Sequence, residues 1–155
     1  MSEVRRIGGQ LKRAFEGQAW HGPSLQELLT DLTPEQAAAK PFPNVHSIWE
    51  LVLHIDAWAH VVTLGLEGQT MPEQLSPEVD WPPVEAVKET EWHAALAQLA
   101  SGQRQLRDAL RHLTDENLER IVPGRSYSFY FMLHGAVQHN LYHAGQIAML
   151  KKALG

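Results

Sequence analysis

The residues best suited to chemistry in this chain are its histidines, nine among 155 residues. Two of them stand four apart in the run His139-Asn140-Leu141-Tyr142-His143. On a helix that spacing puts both on one face with Cβ atoms about 5–6 Å apart. Two imidazoles so placed can converge on one ion at roughly 2.0–2.1 Å each. Gln146 continues the same face one turn later. The spacing alone is weak, because nine histidines in a chain of this length supply roughly half of one such pair by chance. His54 adds a different argument. It lies between Leu53 and Ile55 in the most apolar stretch of the chain, with Leu51 and Trp58 on its own face of a helix. A histidine there is buried, and a buried imidazole needs partners for both ring nitrogens. A metal ion on one nitrogen and a hydrogen-bond acceptor on the other satisfies both. A hydrogen bond to a neighbouring carboxylate or carbonyl serves as well, so on the residues alone a ligand and a hydrogen-bonded core group are equal readings.

The other histidines carry weaker signals. His60 points away from the His54 face, His46 sits at a helix start, His112 near a helix end and His21 in a loop, while His134 precedes His139 by five residues and so leaves its face. Most of these read as solvated, and His93, beside Trp92, reads as a candidate for orienting a ligand from behind. Glu50, Asp56 and Glu91 are candidate acid or base groups with no spacing to select among them, and Trp49, Trp58 or Trp92 could line a cleft.

Composition removes several function classes. There is no cysteine, which excludes disulfides, thiolate nucleophiles and thiolate ligands. The net charge is −5 and no Lys/Arg cluster is longer than a pair, so the basic stripe that nucleic-acid binding requires is missing. The longest strongly apolar stretch, residues 48–66, is interrupted by Glu50, His54, Asp56 and His60 and does not read as a membrane span. The N-terminus is amphipathic with no apolar signal core, and the default reading is a cytoplasmic protein.

The elements that must position these residues all read as helices. Val4, Ile7, Leu11, Ala14 and Phe15 space a first helix over residues 3–17, weakened by Gly8 and Gly9. Ser24, with Glu27 at the third position, caps a short helix over 25–32, and Thr33-Pro34-Glu35 begins another through Ala39. Two prolines make residues 40–44 a loop. A long helix follows from His46 to about Leu66, apolar nearly all round and therefore central. Four prolines make 69–83 a loop that partly covers something. A third long helix spans 84–112, with Trp92, Leu96, Leu99, Leu106, Leu110 and Leu113 toward the core and Gly102 as a local weakness. After a capped turn at 114–118 and a second turn at 122–125, a last helix runs from about Ser128 to Ala153. The pattern implies one all-α domain over 1–155, a bundle of four long helices.

Two segments are specific when taken together. His46-Ser-Ile-Trp-Glu-Leu-Val-Leu-His54-Ile-Asp-Ala-Trp58 and Gln138-His139-Asn-Leu-Tyr-His143-Ala-Gly-Gln146-Ile147 resemble the DinB-like family, which includes the YfiT-like metal-dependent hydrolases. The order of segments agrees over nearly the whole chain. The resemblance implies a four-helix bundle with up-down-down-up topology, a metal site made of His54, His139 and His143, and a homodimer. Some similar proteins are transferases or isomerases that use mycothiol, bacillithiol or glutathione.

Three neutral histidines with no fourth protein ligand evident would leave a coordination position open, as catalytic rather than closed structural sites do. Imidazole ligands suit several divalent ions, with zinc expected first and nickel second. The expected function is a metal-dependent hydrolase or thiol-dependent S-transferase acting on a small molecule, a low-molecular-weight thiol among the candidates. The alternatives are a non-catalytic metal-binding stress-response module and a purely structural bundle.

Overall fold

Apolar periodicity becomes helix along the chain of this computed structural model, which describes residues 2–155. The helices are α1 (Glu3–Glu16), α2 (Leu25–Leu29), α3 (Pro34–Ala38), α4 (Ile48–Leu66), α5 (Pro77–Asp80), α6 (Glu89–Leu110) and α7 (Phe129–Leu154), with a 3-10 turn over Asp115–Glu119 before α7. The protein is all-α among the described residues. The only extended pairing there is one isolated antiparallel bridge between Ile121 and Ser128, next to the expected turn.

Local chemistry sets the ends of these helices. Ser24 Oγ accepts from Glu27 N at 3.3 Å while Glu27 Oε2 accepts from Ser24 N at 2.8 Å, the reciprocal box expected there. A second such box joins Ser47 and Glu50 and starts α4 at Ile48, two residues after the expected His46. Helix α2 stops at Leu29 rather than Leu32, because Thr30 is already extended (ψ 142°) and Asp31 then takes a left-handed conformation (φ 62°), neither of which continues a helix. The third long helix begins at Glu89, not at residue 84. Pro82-Pro83 holds the preceding chain extended, and Lys88 provides no side-chain cap. The loop expected over 69–83 contains the short helix α5, begun by Pro77 in its first turn.

The four long helices pack in a ring: α4 lies against α6 and α7, and α1 closes the circuit against the same two. Their apolar side chains bury in two clusters. One gathers Phe15, Leu25, Ile48, Trp49, Ile55, Trp92, Leu99 and Ile147, and the other Ile7, Leu11, Val62, Leu106, Leu110 and Leu133. Each fully buried aliphatic side chain here contributes about 1.5–3 kcal/mol through removal from water. On every long helix but α1, a polar side chain stands where one cluster gives way to the other. These are His54 on α4, Gln103 on α6, and His139, Asn140 and His143 on α7. The result is a polar belt across the middle of an otherwise apolar interior.

Two glycines allow close approaches. At Gly102 the Asp56 carboxylate of α4 occupies the space a Cβ would need, which explains a glycine inside α6. Gly124 has φ +80° and packs on the backbone of the 69–76 segment, where a Cβ would lie 2.5 Å from the Met71 carbonyl oxygen. The Met71 N–H donates to Pro123 O at 2.9 Å and locks the two loops together. Gly124→Ala therefore meets both a strained φ and an unyielding backbone atom. We expect it to lower stability by about 2–3 kcal/mol, read as a shifted urea midpoint at constant slope. A change below about 0.5 kcal/mol, the usual range for a surface substitution, would refute this packing.

Candidate metal centre

His54 projects from the second turn of α4 and is 6% exposed, and His143 from α7 is 5% exposed. His139, one turn before His143, is half-buried. His139 Nε2 lies 3.0 Å from His54 Nε2 and 3.1 Å from His143 Nε2. The three residues form a group whose possible ligand atoms all lie within 4.8 Å of one another.

The other ring nitrogens show which atoms carry protons. His54 Nδ1 lies 2.6 Å from the carbonyl oxygen of Asp80, which can only accept, so Nδ1 is the protonated nitrogen and Nε2 carries a lone pair. His143 Nδ1 donates in the same way to Gln146 Oε1 at 2.6 Å, leaving its Nε2 bare. Gln146, expected on this face, thus holds one ring from behind. His139 Nε2 can bring at most one proton to two contacts, so at least one of them sets lone pair against lone pair. That arrangement is unfavourable between imidazoles alone. Nitrogens roughly 2.0–2.1 Å from one ion would be about 2.9 Å apart at a right angle and about 3.4 Å apart at the tetrahedral angle. The two separations at His139 fall between these values, and all three donors lie within 4.8 Å of one another, so the donor set fits a divalent ion.

Electrostatics keep the donors neutral. Burial lowers the pKa of His139 to about 3, helped by its neighbours His143 and His54. Burial also lowers His54, against the opposing pull of the Asp80 carbonyl and carboxylate, and lowers His143, against its bond to Gln146.

A family model described as the DinB superfamily matches residues 19–147. The chain belongs to the DinB superfamily. No curated protein and no solved structure matches it. For this superfamily member, the three-histidine cluster and the family together are compatible with metal binding.

The segment expected to cover something covers this cluster. The Trp81 ring stacks on His54 with centroids 3.8 Å apart and planes within 6°, and on its other face it stacks on His46 at 3.5 Å. Asp80 Oδ1 accepts from Trp58 Nε1 at 2.7 Å and approaches His54 Nδ1 at 3.2 Å. Asp80 and Trp81 had no signal in the sequence beyond the proline-rich character of their segment. His46 stays exposed but is stacked rather than free in solvent.

The remaining candidates do not converge here. Glu50 is held by its capping box and by Lys40 Nζ at 2.9 Å, Asp56 accepts from Gln98 Nε2 at 3.0 Å on α6, and Glu91 is exposed. His93 is exposed, which removes it as a group behind a ligand. His21, His60 and His112 are exposed as expected, whereas His134 packs against Tyr130 with a buried Nε2. Of the tryptophans, Trp58 stands beside the cluster with its ring 6.1 Å from that of His139. Trp49 and Trp92 pack on each other in the apolar core, at 5.1 Å.

Proposed function

We propose that His54, His139 and His143 hold one divalent metal ion, zinc first and nickel second, and that the protein is a metal-dependent hydrolase or thiol-dependent S-transferase. The observation that carries this reading is the close approach of His54 Nε2 and His143 Nε2 to His139 Nε2, with at most one proton among the three. The chain's own part is positional: the Asp80 carbonyl and Gln146 fix two ring tautomers, and Trp81 presses on the face of His54. When bound, such an ion acts as a Lewis acid that lowers the pKa of a water or a thiol. We extend the proposal to a small-molecule substrate, including low-molecular-weight thiols, and to a cytoplasmic homodimer. No helix among the described residues is long and apolar enough to cross a membrane.

The test has two stages. Metal analysis of the purified protein should find one ion per chain, lost in His54→Ala. A screen of esters, amides and electrophiles, with and without thiols, should then find turnover that disappears with chelation. Full turnover in metal-stripped His54→Ala would sink the proposal. A non-catalytic metal-binding stress-response module is the second reading. It is favoured by the commitment of Glu50 and Asp56 to other partners and the exposure of Glu91 away from the cluster, and stoichiometric metal without turnover across the screen selects it.

A further inference from the structure

The polar belt contains a second feature that the three histidines do not explain. Gln103 and Asn140 are 1% and 3% exposed, yet they share a single hydrogen bond, Asn140 Nδ2 to Gln103 Oε1 at 3.0 Å. The remaining donor, Gln103 Nε2, and the remaining acceptor, Asn140 Oδ1, have no protein partner. The conclusion does not depend on which way the two amides are turned, because reversing both again leaves one free NH2 and one free C=O. Neither free atom is sealed in packed protein, so both open on accessible space inside the bundle, where an entering group can pair them.

Both side chains line one cavity of about 240 Å³, which also reaches His139. Most of the remaining wall is apolar, built by Val62, Leu106 and Met132 from the helices and by Met71 from the loop locked down at Gly124, with Trp58 and Tyr127 also lining it. Nothing stands within 4 Å of where a Gly135 Cβ would be, and Gly135 lines the cavity too. No lysine or arginine lines it, so in the metal-free protein a carboxylate would enter without a counter-charge. An engineered cavity of about 150 Å³ accepts benzene, and by the same ratio this one holds about ten non-hydrogen atoms.

We propose that this cavity binds a neutral, largely apolar molecule bearing a carboxamide. The ligand's C=O accepts from the free NH2 of the Gln103–Asn140 pair, and its N–H donates to the pair's free C=O. An apolar wall with a few converging polar groups is the usual composition of a small-molecule site. The match of one donor and one acceptor favours an amide over a simple hydrocarbon and, with no metal bound, over an anion. The inference rests on the proposed function only in making this molecule a substrate, since its seat adjoins His139. The binding itself needs no metal.

The experiment uses the full chain in chelator throughout, titrated calorimetrically with phenylacetamide, phenylacetate and ethylbenzene. Phenylacetamide should saturate the protein and bind at least tenfold more tightly than either of the others. In Gln103→Leu/Asn140→Leu both polar partners become apolar together, a change that protein cores often tolerate. That variant should lose at least tenfold in phenylacetamide affinity and none in ethylbenzene affinity. Ala136→Phe, which fills the cavity without altering either amide, should abolish binding of all three. Failure of phenylacetamide to bind the wild-type protein, or equal affinity in the double variant or in Ala136→Phe, overturns the proposal. With chelator present, such a failure leaves the metal proposal standing, and a protein that holds no metal leaves this one standing.

Discussion

Zinc added to the metal-free protein at a hundred times its dissociation constant should raise Tm by roughly 5–10 °C. A ligand that binds only the folded state stabilises it by about 2.7 kcal/mol at that ratio. For a chain of this size, each kcal/mol moves Tm by roughly 2–4 °C. His139→Ala should abolish the shift, because His139 Nε2 contacts both other Nε2 atoms and its removal leaves two donors. The pH dependence has a definite sign. All three imidazoles titrate below the ordinary histidine value in the folded protein, and His139 does so at about 3. Below about pH 6.5 the unfolded chain therefore takes up protons that the folded chain refuses. The metal-free protein should hold constant stability from these groups above pH 6.5 and lose it as pH falls, His139 contributing a loss of at most about 3 kcal/mol by pH 4. Urea midpoints measured in chelator across that range check the sign, and a midpoint rising from pH 6.5 to pH 4 would contradict the burial of these rings. A Tm unmoved by zinc and by chelator at neutral pH would instead favour a hydrogen-bonded structural cluster.

Trp92→Ala should lower the unfolding free energy by about 4–6 kcal/mol. Truncation of a buried tryptophan costs about 3–5 kcal/mol through lost transfer and cavity formation. Trp92 is 1% exposed and packs on Trp49, so the surroundings have little freedom to collapse. Its Nε1–H also donates to Leu32 O at 3.1 Å, tying α6 to the connection between α2 and α3. Loss of that donor leaves a buried carbonyl unpaired at about 1–3 kcal/mol. Trp92→Phe separates the two contributions, since it keeps much of the ring and removes only the donor. The comparison is made by urea denaturation, and a loss below about 2 kcal/mol for Trp92→Ala would show that the core between the two tryptophans is not as tight as described.

What could be read from the sequence was what depends on local spacing. The apolar run around His54 implied burial, and burial is found. The four-residue spacing of His139 and His143 implied a shared face, and their rings do meet, edge to face, with centroids 4.5 Å apart. Periodicity also located the four long helices and the loops between them. It failed at ends set by single residues: Asp31 in its left-handed conformation, the Ser47–Glu50 box, and the Pro82-Pro83 pair ahead of α6. It assigned His93 a role because Trp92 is its neighbour, although one step along a helix turns a side chain through about 100° and carries it from core to solvent. Asp80 and Trp81 were beyond reach because their meaning lies in contacts with His54 and Trp58, more than twenty residues away on α4. The Gln103–Asn140 pair was hidden for the same reason, each amide being ordinary on its own helix until the other stands opposite.

The layered arrangement of His46, Trp81 and His54, with rings nearly parallel on both sides of the indole, also gives the protein a built-in optical reporter. An excited indole readily gives up an electron to a positively charged imidazole in face contact and then decays without emitting light. Charge arriving on either neighbouring ring, as a proton or as a coordinated cation, therefore dims Trp81, while Trp20, Trp49 and Trp92 supply a constant background and Trp58, 6.1 Å from His139, gives a response that persists in Trp81→Phe. Subtracting the emission of Trp81→Phe isolates that one signal, so events at the cluster can be followed in solution with no added dye.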